Sequence, residues 1–542
     1  MLKIPYNRLH ARGDVLFAAR SGRIHSFSLK DGKHISTWQH PDHKTAQRDS
    51  EPPPAKRQRR DDNDDVDDDV EDGTSARIEE GDVAKGGEKT KSGSANGRPV
   101  ARVPDRAVVT QLTSSLDGRY VVAVSGHDKI IWVFEHDGKG NLKQLSQRTM
   151  PKRPSAIAIS ASDSNIICAD KFGDVYSLPL QHTPPTDSTK TTIATTARQL
   201  PNPTKPMRNP NEPAASTLTV HSKRNLEALK NQAKQLQQRK ESEEAVDDTK
   251  EGKSAEEGFE LSLLLGHVSM LTSLLLTDET TQGRKYIITA DRDEHIRISR
   301  YAPQAHVIEA FCLGHTDFVN ALVIPPSKPR ILVSGGGDSH LITWDWLSGK
   351  QLSQRSILDL ARQIVPETEK VAVTALFSLS TPSKSAPEDE TYILAICEDI
   401  NAIFTWHLSP TGTLTRPGAI ELAAPPLDLT IIPAHDDSDS TSPLLIIAAN
   451  PAGHIEQVKS LQAFRLSVSD EDDKRLAVCS EFVFADGALE AGETDASPAE
   501  IRQLLYTVEN LRKQTGDGGQ GPNADGPNAD GPNADAVALS ET

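Results

Sequence analysis

The stretch that decides the fold runs from Leu313 to Trp346 and reads LGHTDFVNALVIPPSKPRILVSGGGDSHLITWDW. It contains three apolar runs, separated by a Pro-rich turn and a Gly-rich turn, and such runs are typical of short buried strands. Gly314–His315 precedes the first run, while Ser334, Asp338 and Trp344 stand around the second turn. The spacing predicts one small antiparallel sheet with polar residues at fixed places in it.

This pattern is that of one four-stranded blade of a WD-repeat β-propeller. In such a blade the loop His, the strand Ser, the turn Asp and the Trp form a hydrogen-bonded chain, which satisfies polar groups that blade stacking buries. We therefore predict that His315, Ser334, Asp338 and Trp344 form a structural fastener. A Ser-His-Asp hydrolase triad is the alternative, but no nucleophile elbow surrounds Ser334.

Degenerate copies of the pattern recur along the chain, and a second Gly–His pair stands at 266–267. We expect His267 and Asp293 to belong to an incomplete fastener in that copy, because Ser299 stands where the aromatic residue is expected. The fold predicted from these repeats is all-β, a seven-bladed WD-repeat β-propeller. The sequence does not fix which strand closes the ring, and Leu2 to Tyr6 is one candidate for the outer strand of the final blade.

The predicted domain boundaries follow from composition. Only 36% of the 542 residues are hydrophobic and 4% are aromatic, which is too polar for a chain packed throughout. Blades are expected at 106–180 and 259–486, with strands of the first blade at 1–39. The remainder is predicted to be two long disordered insertions, 40–105 and 181–258, and a disordered tail, 487–542. Short helices are expected within 221–240 and 498–513.

The first insertion carries a basic cluster, Lys56, Arg57, Arg59 and Arg60, directly before a strongly acidic run. An exposed run of cations suits the acidic groove of an import receptor, so the cluster predicts nuclear import and a location in the nucleus. An ordinary solvated charge run is the alternative interpretation.

Several classes of function are disfavoured by the residues. A net charge of −17 argues against a uniformly basic nucleic-acid binder. The four cysteines are far apart and indicate neither a metal site nor a disulfide framework. The chain shows neither a signal peptide nor a run of ~18 apolar residues, so we expect an intracellular protein outside the membrane. We predict no catalytic, cofactor-binding or metal-binding residues, and favour an interaction platform.

Three stretches carry a resemblance to a known family: GHVSMLTSLLLTDETTQGRKYIITADRDEHIRISR (266–300), HVIEAFCLGHTDFV (306–319) and ADKFGDVYSLPL (169–180). They resemble the WD-repeat non-catalytic subunit of the eukaryotic tRNA (guanine-N7)-methyltransferase, particularly its fungal form. The likeness extends over most of the propeller and is weak in the insertions and the tail.

The resemblance implies a heterodimer in which the propeller binds and stabilises a separate catalytic subunit. That subunit carries S-adenosylmethionine and methylates N7 of a guanosine in the tRNA variable loop, and the tRNA is contacted through the complex. The resemblance further implies that Arg292, Glu294 and Arg297 face the catalytic subunit, although His295 stands where the family often has Lys. The residues alone leave two other classes open: a scaffold or substrate-receptor propeller of another nuclear complex, such as a ubiquitin ligase, and an autonomous propeller enzyme.

Overall fold

The structure is a computed structural model that describes residues 2–44, 106–160, 165–181, 260–279, 283–382, 389–434, 442–451, 458–468, 476–484, 495–505 and 507–513. Seven four-stranded antiparallel sheets follow one another along these residues, each built from four consecutive strands. The innermost strand of each sheet is adjacent to the innermost strands of the sheets before and after it, and the seventh sheet meets the first. The predicted seven-bladed β-propeller is confirmed.

The strands of each blade run from the inside of the ring to the outside in chain order. The strands are Arg8–Arg12, Val15–Arg20, Arg23–Ser28 and His34–Gln39 in blade 1; Val109–Ser114, Tyr120–Ser125, Ile130–His136 and Leu142–Thr149 in blade 2. They are Pro154–Ile159, Asn165–Asp170, Asp174–Pro179 and Ser262–Gly266 in blade 3; Leu271–Glu279, Arg284–Asp291, Ile296–Arg300 and Ile308–Cys312 in blade 4. The second insertion therefore separates the third and fourth strands of blade 3.

The later blades have the same order. Their strands are Val319–Val323, Ile331–Gly336, His340–Asp345 and Lys350–Ser356 in blade 5; Val373–Thr381, Glu390–Cys397, Ala402–Leu408 and Leu414–Glu421 in blade 6; Pro426–Ile432, Leu444–Ala449, Leu461–Val468 and Leu476–Phe482 in blade 7. Among the described residues the helices are α1 (Leu358–Ile364), α2 (Pro498–Leu505) and two 3-10 turns, Pro41–Lys44 and Val508–Leu511. No helix in the described ranges has the length and apolar character needed to span a bilayer.

Burial decreases from the second strand of a blade to the fourth. Every residue of Val15–Arg20, Ile331–Gly336 and Leu444–Ala449 is buried, whereas Lys350–Ser356 is largely exposed. A second strand lies between two neighbouring blades and is covered on both faces, so its sequence is a continuous apolar run and does not alternate. This is why the apolar runs of the sequence mark the blades.

The ring closes by side-chain packing between blade 7 and blade 1. Leu16 and Phe27 of blade 1 share an apolar cluster with Ile446 and Ala463 of blade 7. Across the same seam the N–H of Leu9 donates to a carboxylate oxygen of Asp428 at 2.9 Å. Burial raises the pKa of that carboxyl, although two backbone N–H groups and the nearby Arg8 favour its charged form.

The structure differs from the expectations of the sequence in three places. Leu2–Lys3 pairs with Asp495–Ala496 in a two-stranded ribbon and adds no strand to the final blade, which is completed by Leu476–Phe482. The first insertion does not begin at 40, because His40 is buried against blade 2 and the 3-10 turn Pro41–Lys44 follows it.

The third correction concerns the predicted disordered tail. Residues 495–505 and 507–513, here called the strap, are folded onto the ring. Ile501 and Leu504 lie one helical turn apart on α2 and are buried with Val108, which immediately precedes the inner strand of blade 2. Leu511 is buried with Phe318, which precedes the inner strand of blade 5. Burial of these apolar side chains stabilises a segment whose composition resembles a tail.

Candidate functional site

The fastener of blade 5 is assembled from four elements that the fold brings together. Nδ1 of His315 lies 2.5 Å from Oδ2 of Asp338, and Nε2 of the same ring lies 2.7 Å from Oγ of Ser334. The indole N–H of Trp344 donates to that hydroxyl at 2.8 Å. The structure therefore places all four predicted residues in one hydrogen-bonded chain.

The chain of hydrogen bonds has a direction. Burial alone would raise the pKa of the Asp338 carboxyl, but hydrogen bonds from His315 and Thr316 outweigh burial and lower that pKa. An ionised carboxylate only accepts, so Nδ1 of His315 carries the proton. In the neutral imidazole Nε2 then accepts from the Ser334 hydroxyl, which in turn accepts from Trp344.

Burial argues against a hydrolase at this site. Ser334 is completely buried and His315 is 6% exposed. The Ser334 hydroxyl already lies between an indole and an imidazole, and no substrate carbonyl can approach it. The arrangement can hold two loops and two strands together, but it cannot attack a bond in a second molecule.

In blade 4 the structure corrects one predicted fastener residue. His267 Nε2 lies 2.9 Å from Oγ1 of Thr289, and Nδ1 lies 3.7 Å from the carboxylate of Asp291. Asp291, not Asp293, thus occupies the Asp position. The Asp291 carboxylate accepts the N–H groups of Asp293 and His295, and this closes a tight turn that keeps Asp291 buried and leaves Asp293 outside.

Arg297 was predicted to face a partner, but the structure buries it inside blade 4. Only 9% of the residue is exposed. Its Nε donates to Ser299 Oγ at 2.9 Å and its Nη1 to the Gly266 carbonyl at 3.0 Å. By strand register Ser299 corresponds to Trp344 of blade 5, so the guanidinium lies beside the position that the indole occupies there. Arg297 is an architectural residue of this blade.

Arg292 and Glu294, the other two residues predicted to bind a partner, lie at the surface and contact the strap. The side chain of Arg292 donates to the carbonyl of Leu511 at 2.7 Å. Lys513 lies 3.0 Å from a carboxylate oxygen of Glu294 and 3.3 Å from one of Asp293. The blade 4 hairpin, residues 291–297, therefore presents its acidic turn next to the C-terminal segment of the same chain.

Blade 2 has a complete fastener that the sequence analysis missed. Trp132 donates to Ser125 Oγ at 2.8 Å, and Ser125 donates to Asp128 at 2.5 Å. Nε2 of His40 lies 2.9 Å from the other oxygen of Asp128. The signal was present in the sequence, but the tryptophan stands four positions after the aspartate here and six positions after it in blade 5, and His40 falls in the predicted insertion.

Two further side chains lie beside this fastener, and one ligand atom from each of His40, Asp42, His127 and Asp128 falls within 4.8 Å of the other three. The N–H of Asp42 donates to Nδ1 of His40 at 3.2 Å, so Nε2 is the protonated nitrogen and donates to Asp128. Both ring nitrogens of His40 thus have hydrogen-bond partners within blades 1 and 2, and we assign the cluster to the architecture of this part of the ring.

Exposed apolar side chains flank the blade 4 hairpin. Val268 is fully exposed, and Phe172 and Leu313 are 62% and 61% exposed. The loops that carry Val268 and Phe172 touch each other. Gly173, at φ +101°, lies so close to the His267 carbonyl oxygen that a Cβ on this glycine would be 2.4 Å from it. On the hairpin side the N–H of Arg292 donates to the Met270 carbonyl at 2.9 Å. Apolar groups next to exposed charges are typical of a protein-interaction surface.

Comparison with known proteins places the chain in a family. The sequence model described as the tRNA methyltransferase TRM82 WD40 domain matches residues 16–472. The chain belongs to the TRM82 family. This confirms the resemblance seen in the sequence, and the match to the family begins in blade 1 and ends after blade 7's third strand.

Relatives within the TRM82 family are similar along most of their length. The tRNA (guanine-N(7)-)-methyltransferase non-catalytic subunit of Sclerotinia sclerotiorum is 37% identical over 548 residues, covering 95% of this chain and 99% of the relative. The subunit of the same name from Aspergillus fumigatus is 38% identical over 458 residues, covering 78% and 85%. Both names describe a non-catalytic subunit, which agrees with the expectation that the chain is an accessory protein and not an enzyme.

The disorder expected for most of 40–105, 181–258 and 487–542 concerns residues outside the described ranges, and so do two further predictions. They are the import cluster Lys56, Arg57, Arg59 and Arg60, and the short helix expected within 221–240.

Proposed function

We propose that this chain is the non-catalytic subunit that binds and stabilises the catalytic subunit of a tRNA (guanine-N7)-methyltransferase, and that it is needed to form N7-methylguanosine in the tRNA variable loop. The observation that carries the proposal is the similarity, over 95% of the chain, to a relative named as the non-catalytic subunit of a tRNA (guanine-N(7)-)-methyltransferase. The burial of Ser334 and His315 supports an accessory role, because no substrate can reach the Ser-His-Asp arrangement, which is the part of the sequence that most resembles a hydrolase site.

The surface proposed for the catalytic subunit is the blade 4 hairpin with the apolar side chains beside it. Asp293 and Glu294 supply exposed negative charge, and Val268, Phe172 and Leu313 supply apolar area. Apolar contact supplies affinity, while charges at the rim select the partner and its orientation. Arg297 is no longer part of this proposal because it is buried.

The first experiment combines the purified full-length chain with the purified catalytic subunit. Methyl transfer from S-adenosylmethionine to tRNA is measured for each protein alone and for the mixture. We expect N7-methylguanosine to depend on both proteins and the two to elute as a heterodimer. Efficient methylation by the catalytic subunit alone, unchanged by this chain, would contradict the proposal.

A matched pair of variants tests the surface. Val268→Glu places a charge in the proposed interface, whereas Leu116→Glu makes the same kind of change at a residue of blade 2 that is 67% exposed. We expect the Kd for the catalytic subunit to rise at least tenfold for Val268→Glu and less than twofold for Leu116→Glu. Equal effects of the two variants would move the interface away from blade 4.

The alternative function, a scaffold or substrate receptor in another nuclear complex, gives a different result in these assays. The chain would then neither bind the methyltransferase subunit nor change its rate. The net charge of −17 supports a division of labour in which the tRNA is bound through the complex and not by this chain alone.

We also propose that the chain acts in the nucleus. The support is the basic cluster at 56–60, and the test is the location of a fluorescent fusion in which Lys56, Arg57, Arg59 and Arg60 are replaced by Ala. Exclusion of the variant from the nucleus is expected. An unchanged nuclear signal in cells that lack the catalytic subunit would rule out this cluster as the import signal.

A further inference from the structure

The strap lies at the end of the ring where the inner strands begin. It shares apolar clusters with residues that directly precede the inner strands of four blades. They are Val108 in blade 2, Met270 in blade 4, Phe318 in blade 5 and Ala372 in blade 6. Blade 2 lies across the ring from blades 5 and 6, so residues 495–505 and residues 507–513 are packed on opposite sides of it.

The strap is held firmly at Leu511 and Arg512. Leu511 is 4% exposed, and the guanidinium of Arg512 lies 5.6 Å from the centre of the Phe318 ring. That guanidinium donates to the carboxylate of Asp317, to the Gly337 carbonyl at 2.7 Å and to the Val371 carbonyl at 3.1 Å. Several charge-assisted hydrogen bonds from one largely buried side chain form a strong anchor.

Lys513 is held weakly by comparison. Its side chain is 51% exposed, and those of its two partners, Asp293 and Glu294, are 45% and 34% exposed. Ion pairs in this environment are screened by solvent and contribute little. A cation of another molecule can therefore replace Lys513 on the acidic turn without disturbing the anchor one residue earlier.

The strap also fixes the hairpin. Through its backbone carbonyl Leu511 accepts from Arg292, and this hydrogen bond joins the anchored part of the strap to the turn that carries Asp293 and Glu294. Loss of the anchor would release this hydrogen bond, and the hairpin side chains would lose a defined position. Ordering them again on binding costs affinity.

We propose that the strap is a permanent part of the surface that receives the catalytic subunit, and that a lysine or arginine of that subunit takes the place of Lys513 against Asp293 and Glu294. This inference rests on the proposed function. It assigns Arg512 as a positioning residue, which acts on the partner through Leu511 and Arg292, and it makes the C-terminal segment a component of recognition.

The test measures the Kd of the purified catalytic subunit for the full-length chain and for three variants. Arg512→Ala removes the anchor, Lys513→Ala removes the exchangeable cation, and Lys30→Ala is the control. Lys30 is an exposed lysine of blade 1 that also pairs with a carboxylate, Asp14, at 2.8 Å. We expect a Kd at least tenfold higher for Arg512→Ala, a Kd unchanged or up to threefold lower for Lys513→Ala, and no change for Lys30→Ala.

Two additional measurements separate the outcomes. Hydrogen exchange on each free variant shows whether the strands of the ring stay protected while the strap is released, and Arg512→Lys, which keeps the charge but loses the planar fork, should have an intermediate Kd. Tighter binding by Arg512→Ala would show that the strap is a lid that the partner displaces, and an unchanged Kd with a released strap would show that it takes no part in binding. Either result overturns the inference while the proposed function stands. Absence of binding by the unmodified chain would overturn both.

Discussion

Replacement of Ser334 by Ala tests most directly how the hydrogen bonds of the blade 5 fastener are connected. The Ser334 hydroxyl is the middle member of the chain, since it accepts from Trp344 and faces Nε2 of His315. The substitution removes one oxygen atom and little volume. It leaves an indole N–H and an imidazole nitrogen without their partner, at residues that are 0% and 6% exposed.

The structure gives the expected magnitude. Each buried polar group left unsatisfied costs about 1–3 kcal/mol, so Ser334→Ala should lower the free energy of unfolding by about 2–6 kcal/mol. A folded protein has only about 5–15 kcal/mol in total, so this loss is a large fraction of the stability. In blade 4 Thr289 contacts His267 and, at 3.4 Å, the Arg297 carbonyl, but it has no indole partner because Ser299 replaces the tryptophan. Thr289→Val, which also removes a hydroxyl, should therefore cost about 1–3 kcal/mol.

Urea unfolding measures the free energy of unfolding of both variants, and circular dichroism of the folded proteins is the control for an intact ring. The midpoint should fall for both, further for Ser334→Ala, with an unchanged dependence on urea concentration. If Ser334→Ala cost no more than Thr289→Val, the hydroxyl of Ser334 would not be joining two buried groups, and the directional chain from Trp344 to Asp338 would be refuted.

Three further predictions concern the same blades. Arg297→Glu should lower the free energy of unfolding by about 3–5 kcal/mol, since it exchanges a hydrogen-bonded buried cation for an anion facing the Gly266 carbonyl. Urea unfolding measures this. A normal urea midpoint together with lost partner binding would instead place Arg297 in the interface. Gly336→Ala should prevent folding or lower the thermal midpoint strongly, because a Cβ there would lie 1.9 Å from the Phe318 carbonyl oxygen; soluble expression and calorimetry report this, and a normal midpoint would contradict the packing. Hydrogen bonds lower the pKa of Asp338 in the folded state, so its contribution to stability is present above a pH of about 3.8 and lost as the pH falls through the folded-state pKa. Asp338→Asn should therefore flatten the acid side of the plot of unfolding free energy against pH. An identical plot would contradict the assignment.

Much of the fold could be predicted because blade stacking leaves a direct trace in the sequence. A strand covered on both faces must be apolar throughout, and the runs at Ile331–Val333 and Leu444–Ala449 show this without any knowledge of distant contacts. The blade 5 fastener was equally visible, because its four polar residues stand within one repeat. Membership of the family followed from the same local stretches.

The errors arose where the decisive contact is not local. Asp291 and Asp293 both suit a turn, and only the tight conformation, with Glu294 at φ +76°, selects Asp291 for the interior. Arg297 was assigned to the partner surface because the resemblance places the whole hairpin there, but the small Ser299 beside it provides a hydrogen-bond acceptor inside the blade. The short helix of the strap was predicted, but its packing on the ring was missed because its partners, such as Asp317, lie nearly two hundred residues earlier in the chain.

The ribbon between Leu2–Lys3 and Asp495–Ala496 has a consequence for how the ring is made. Since each blade takes its four strands from consecutive strands of the described chain, the ring has a seam between blade 7 and blade 1. The ribbon ties the two sides of this seam together, and the seam joins residues such as Leu9 and Asp428, which are 419 positions apart. Closing so long a loop is entropically costly and comes late in folding. Until blade 7 has folded, the chain is an open arc, and the apolar flank of blade 1 that blade 7 will cover is exposed to aggregation or to chaperones.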